Sequence, residues 1–166
     1  MAVRRIRLLG DPVLRARCAE VEDCSAPMVR KATRDLRDTL EDFRARRGFG
    51  RGIAAPQIGV RLRIIVIRTK GLGALINPRV TKWSKRTFEL WDDCFSFPDI
   101  LVRVRRFASV EVRYVDENGA AKKIQAAGAL AELLQHEIDH IDGILAIDRA
   151  LSSRHIILRS ELSRSA

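Results

Sequence analysis

Aromatic residues are scarce in this chain. Two tryptophans, one tyrosine and six phenylalanines make up 5% of its 166 residues, too few for the stacking platforms on which proteins hold single-stranded nucleic acid. Cysteine is scarcer still. Cys18, Cys24 and Cys94 form an odd, sparse set that argues against a disulfide framework and for a reducing compartment. No apolar run approaches the roughly 18 residues of a membrane span. From Met1 to Gly10 arginines precede only Leu8 and Leu9, too short an apolar core for a signal peptide. The expectation is a cytoplasmic protein with no membrane partner.

Positive charge, by contrast, is plentiful. Lys and Arg number 31 against 21 Asp and Glu, a formal net charge of +10. Such a field attracts polyanions. The arginines are scattered from Arg4 to Arg164, however, as on a generally solvated surface, so sequence-specific DNA reading is not expected. Weak association with an RNA-rich machine such as the ribosome is the most that charge implies. With 46% apolar and 31% charged residues, 1–166 reads as a single catalytic domain with a short basic C-terminal tail at about 150–166.

Pro27 suits the first turn of a helix beginning near Ser25. Val29, Leu36, Leu40 and Phe43 recur at near-helical spacing, and Gly48 can stop it. Phe49 to Gln57 reads as a glycine-rich loop, and Ile64 to Ile67 as a buried strand. Extended segments are expected near Leu75-Ile76, ended by Asn77-Pro78, and at Phe88 to Trp91, Ile100 to Arg106 and Ser109 to Val115. Asp116-Glu117-Asn118-Gly119 is a hairpin turn from which Lys122 to Gln125 returns. A second helix runs from Gly128 through Ala131, Leu134, Ile138 and Ile141 to Gly143, and the tail reads as a short helix or frayed. The pattern is α+β: an N-terminal helix, mixed or antiparallel sheets, and a central helix late in the chain.

That late helix carries Gln135-His136-Glu137-Ile138-Asp139-His140. Imidazoles four residues apart project from one helix face and can grip one ion. Glu137 lies about 100° round, where it can reach a water near that ion without entering its ligand set. Two nitrogen ligands and a carboxylate that accepts a proton are what metal-assisted hydrolysis requires. A third ligand is needed. Glu161 in the tail and Cys94, within Trp91-Asp92-Asp93-Cys94-Phe95-Ser96, are both candidates. Cys18 and Cys24 lack metal-ligand spacing and read as packed thiols; His155 reads as a surface residue.

Three segments in order, Gly50-Arg51-Gly52-Ile53-Ala54-Ala55-Pro56-Gln57, Cys94-Phe95-Ser96 and Gln135 to Gly143, resemble the motifs of peptide deformylases, usually written G-x-G-L-A-A-x-Q, E-G-C-L-S and Q-H-E-x-D-H-L-x-G. Ile6 to Val21 also resembles that family's N-terminus, and the likeness covers about residues 6 to 150. The resemblance implies antiparallel sheets around a metal-binding helix, with Cys94, His136 and His140 holding one divalent ion. That ion is commonly Fe2+, with Zn2+ or Ni2+ as replacements. It further implies removal of the N-formyl group from N-formylmethionyl nascent peptides. Metal-bound water is then the nucleophile and Glu137 the general base and acid, while the Gln57 amide and the Phe95 backbone N–H stabilise the oxyanion.

By the same analogy the peptide lies extended beside the first motif, where Gly50, Gly52 and Ala54 leave room for it. Ile53, Phe95 and Leu133, with part of the His136 ring, form a methionine pocket. The second motif departs from the family pattern: Asp92 stands for glutamate, Asp93 for glycine and Phe95 for leucine. Asp92 is expected to pair with Arg106, whereas Asp93 is strained if its backbone requires positive φ. Asp93 and Phe95 motivate another reading, an amidase for another small N-acyl group, and a non-catalytic metal-binding or RNA-associated paralogue is a reading from a different class. A zinc peptidase using Glu161 is a further one.

Overall fold

A computed structural model of the chain describes residues 2–69 and 71–164. Helix α1 spans Pro27–Arg47 and closes at Gly48. Leu36, Leu40 and Phe43 form its buried stripe, each worth about 1.5–3 kcal/mol of burial. The strands are β1 (Gly52–Ala54), β2 (Ile64–Ile67), β3 (Ala74–Trp83), β4 (Thr87–Asp93), β5 (Ile100–Phe107), β6 (Ser109–Val115), β7 (Ala121–Ala127) and β8 (Ile156–Leu158). Helix α2 covers Ala129–Ile141. One antiparallel sheet runs β1-β2-β3-β6-β7 and a second runs β4-β5-β8. The fold is α+β.

Strand β2 explains why its sequence shows no alternation. Ile64 and Val66 pack toward α1, while Ile65 and Ile67 pack toward α2, so both faces are dry. In β5 alternation is retained, and it carries a charge inward: Val102, Val104 and Arg106 are all buried. Helix α2 touches both sheets, contacting β1 and β7 of one and β5 of the other. From Ala131 to Ile141 every residue of it is buried.

Three expectations change. The segment around Ile53 is not all loop, since Gly52–Ala54 pairs with Ile65–Ile67 as an edge strand. Strand β3 does not end at Asn77-Pro78 but passes through it, with a register shift between Ile76 and Arg79. Asn77 takes φ +50, and its amide bonds Val21 on both sides, accepting from Val21 N (2.9 Å) and donating to Val21 O (2.8 Å). The left-handed residue makes a bulge rather than a stop. The tail is neither a plain helix nor frayed: Ile156–Leu158 pairs with Ile100–Val102. A three-residue strand with few apolar neighbours in sequence gives no periodic signal.

Asn77→Ala removes two hydrogen bonds and the residue type best suited to positive φ. It is expected to cost about 2 kcal/mol, a fall of about 5 °C in melting temperature by calorimetry.

Candidate metal centre and substrate cleft

One turn of α2 brings His136 and His140 together, with ring centroids 4.9 Å apart. Cys94 arrives from the other sheet, at the turn that follows β4, with Sγ 3.1 Å from His140 Nε2. Ligand atoms of Cys94, His136 and His140 all lie within 4.8 Å of one another, and all three residues are buried. No other such group occurs among the described residues. The structure thus brings Cys94, not Glu161, to the imidazoles. Glu161 lies in the 3-10 turn Arg159–Arg164.

The donor set fits a divalent transition ion. One sulfur and two imidazoles suit iron, zinc or nickel better than magnesium or calcium, and three protein ligands would leave room for a water on the ion. The sulfur also receives N–H groups from Ser96 N (3.4 Å) and Gln57 Nε2 (3.6 Å).

The imidazole of His136 is oriented from behind. Its Nδ1 lies 2.9 Å from Asp92 Oδ1, which turns Nε2 toward the sulfur. Asp92 in turn accepts from Arg106 Nη2 at 3.0 Å, and Arg106 Nη1 donates to Asp139 Oδ2 at 2.5 Å. Arg149 completes the chain at Asp139 Oδ1, 2.8 Å away. Asp92 and Arg106 are each 3% exposed. Burial raises the Asp92 pKa, but the charges and hydrogen bonds of His136 and Arg106 outweigh it and hold the carboxyl at about 2. Burial likewise opposes protonation of His136, and Asp92 and Cys94 reverse that, lifting it well above an ordinary histidine. His140, with burial and the His136 charge both acting downward, is held well below and presents a neutral nitrogen.

Glu137 is buried beside these ligands, and its Oε2 has no hydrogen-bond partner among the described residues. Desolvation pushes its pKa up to about 7, with Asp92 and Glu132 adding to that and His136 and Arg51 opposing it. A carboxyl poised near neutrality with a free oxygen is suited to moving a proton.

Gln57 sits in the 3-10 turn Ala55–Ile58. Its Oε1 accepts from Ala54 N at 2.9 Å, which settles the amide orientation: oxygen toward the strand, NH2 toward Cys94. Phe95 stacks on Phe43, with centroids 3.8 Å apart, and its backbone follows directly on Cys94.

A cleft of about 340 Å³ opens over this group, lined by Gly50, Gly52, Gln57, Cys94, Phe95, Leu133, His136 and Glu137 among others. Ile53 is not in its lining; it is fully buried in the core shared by α1 and β2. In a strand, Ile53 points to the face opposite that of its neighbour Gly52, which lines the cleft. The small residues also serve a purpose inside the protein. A Cβ on Gly52 would lie 2.7 Å from Glu137 Oε1, and one on Gly50, at φ +115, would lie 2.2 Å from the Phe95 ring. They make room for protein side chains. Ala54 is fully buried. Asp93 has no positive φ, so the feared strain is absent.

Sequence reasoning missed Glu132. It is buried and bonds Arg51, Oε2 to Nη2 at 2.5 Å, in the cleft wall. Its position four residues before His136, hence on the same helix face, was the available signal. Phe49 and Trp91 also line the cleft and carried no motif signal.

Comparisons with known proteins agree on one family. The family model described as polypeptide deformylase matches residues 3–155. The peptide deformylase of Dictyoglomus thermophilum is 37% identical over 150 residues, covering 90% of this chain and 94% of that protein. That of Pelotomaculum thermopropionicum is 38% identical, covering 97% and 100%. Among solved structures, peptide deformylase from Thermotoga maritima superposes with TM-score 0.84 at 33% identity, covering 92% of this chain and 100% of that one. The Synechococcus elongatus peptide deformylase, solved in complex with actinonin, gives 0.85 at 32%, covering 93% and 82%.

Asp92→Asn should weaken Zn2+ binding about 10- to 100-fold, read by competition with a chromophoric chelator. Glu137→Gln tests the raised carboxyl in the metal-free protein. A carboxyl whose folded pKa exceeds its unfolded value destabilises the fold as pH rises, so the two proteins should match below pH 4.5, the ordinary glutamate pKa. The variant should become the more stable, by about 3 kcal/mol, above pH 7. Denaturant melts across that range read the difference.

Proposed function

The chain belongs to the peptide deformylase family, and from that premise we propose that it removes the formyl group from N-formylmethionyl nascent peptides, releasing formate and a free α-amine. The observation that carries this reading is the convergence of Cys94, His136 and His140 beside Glu137, whose Oε2 has no hydrogen-bond partner among the described residues. Cys94, His136 and His140 would hold one divalent ion, which when bound supplies a Lewis acid for water and the formyl carbonyl. We assign Fe2+ as the native ion and Zn2+ or Ni2+ as substitutes, since the mixed thiolate and imidazole set accepts all three.

The chain's own residues do the rest. Glu137 takes a proton from the attacking water through Oε2 and returns it to the departing amine nitrogen as the C–N bond breaks. Gln57 Nε2 and the Phe95 backbone N–H donate to the oxygen that gains charge as the water adds. Asp92, backed by Arg106, keeps the His136 Nε2 lone pair directed inward. Strands β1 and β4 are both sheet edges, and Gly52 of one and Trp91 to Asp93 of the other border the cleft. An extended peptide backbone can add there as a strand, which suits substrates of many sequences. Leu133, Phe95 and Phe49 supply the apolar wall for methionine.

We read 1–166 as one catalytic domain acting in the cytoplasm, with weak ribosome association through its net charge of +10 and no sequence-specific DNA or membrane partner. Among the described residues no helix is long and apolar enough to cross a membrane.

Anaerobic purification with metal analysis, followed by turnover of formyl-Met-Ala-Ser, tests the reading. The wild type should cleave this peptide and spare its acetyl analogue. Glu137→Ala should retain the ion while losing about 10³-fold in kcat/KM, and Cys94→Ser should lose the ion itself. A stoichiometrically loaded wild type that turns over no formyl peptide overturns the enzyme assignment.

A further inference from the structure

Arg159, outside all three motifs, joins three segments at the mouth of the cleft. Its backbone N–H donates to Asp99 O at 2.8 Å, and its Nε donates to Pro98 O at 3.1 Å. Nη2 donates to Asp93 Oδ2 at 3.0 Å. The guanidinium carbon stands 4.3 Å from the centroid of the Phe49 ring, a stacking contact that a planar, weakly hydrated cation makes well. Phe49 in turn meets Phe43 edge-on at 5.3 Å and Phe95 at 6.1 Å. One side chain therefore ties the residue before the Cys94 ligand, the turn after it and the loop that enters the first motif.

The tail reaches this place because β8 pairs with β5, Leu158 opposite Ile100, which sets the residue after Leu158 beside the Pro98-Asp99 turn. Asp93 and Phe49 both line the cleft. Asp93, at the position where the resembled motif carries glycine, supplies the carboxylate that Arg159 grips.

We propose that Arg159 is a positioning residue for substrate. By holding Phe49 against Phe95 and gripping Asp93, it sets the width of the cleft on the side opposite α2. The C-terminal tail thereby belongs to the substrate site. This rests on the deformylase reading, since it assigns the cleft to a formyl peptide.

The test compares metal-loaded wild type, Arg159→Ala, Asp93→Ala and the double variant in two measurements. The first is KM and kcat on formyl-Met-Ala-Ser; the second is hydrogen exchange at the Phe49–Gly52 amides. Arg159→Ala should raise KM about fivefold with kcat within about twofold, and should speed exchange in that loop but not in β2. The double variant should be no worse than Arg159→Ala alone, because both act through one contact. An unchanged KM, additive effects of the two substitutions, or a fall in kcat and bound metal with KM constant overturns the proposal. If the wild type itself cleaves no formyl peptide, the deformylase reading fails separately. Loop exchange in Arg159→Ala then decides the tether by itself, and unchanged exchange removes it.

Discussion

The carboxylate of Asp92, shared between the His136 ring and the Arg106 guanidinium, is the contact on which the site depends. It stands at the end of β4, in the smaller sheet, and reaches a helix that packs on the larger one. That bridge ties the strand leading to the sulfur directly to the helix that carries the imidazoles. With it, one imidazole has a set tautomer and rotation, and β4 is anchored so that the next residue but one, Cys94, projects its sulfur to the same point.

Such an arrangement is expensive in stability. Arg106, Asp92 and Asp139 are taken out of water together, and buried ion networks of this kind often contribute no more than the apolar side chains that could replace them. Their geometry is accordingly close: contacts of 2.5 to 3.0 Å across both carboxylates, with Arg149 added at the outer end. The same logic applies to Glu137, whose burial lifts its pKa to about 7 and whose free oxygen faces chemistry, not structure. Stability is given up where a proton or an ion must be handled. Around these groups the backbone is trimmed to fit. The absent side chain of Gly52 admits Glu137, and that of Gly50 admits Phe95, so the small residues of the first motif shape the protein's own interior as well as its cleft.

Local pattern made much of this readable. The helix carrying His136, Glu137 and His140, the hairpin at Asp116 to Gly119 and the buried strand at Ile64 all follow from spacing within a few residues. Arg106 could be read as inward because it continues the alternation of Val102 and Val104. What escaped were features with short or non-local causes. Strand β1 is three residues long and exists because β2 offers it an edge. The Asn77 bulge holds because Val21, distant in sequence, pairs with both ends of its amide. Likeness to the family places Ile53 in the methionine pocket, whereas strand alternation turns it into the core.

From residue order alone came the composition of the centre: two nitrogens and a carboxylate on adjacent positions of one helix, a set that helical geometry places together wherever that helix lies. Whether Cys94 or Glu161 completed it was a matter of likeness to known motifs, not of spacing, because contacts between distant segments are determined by which sheet edges pair and how a helix packs between them. Only the folded chain decided that the sulfur arrives, that Asp92 stands behind His136, and that Arg159 returns from the tail to the rim. Each of these joins residues tens of positions apart, and no local preference of the backbone specifies such a meeting.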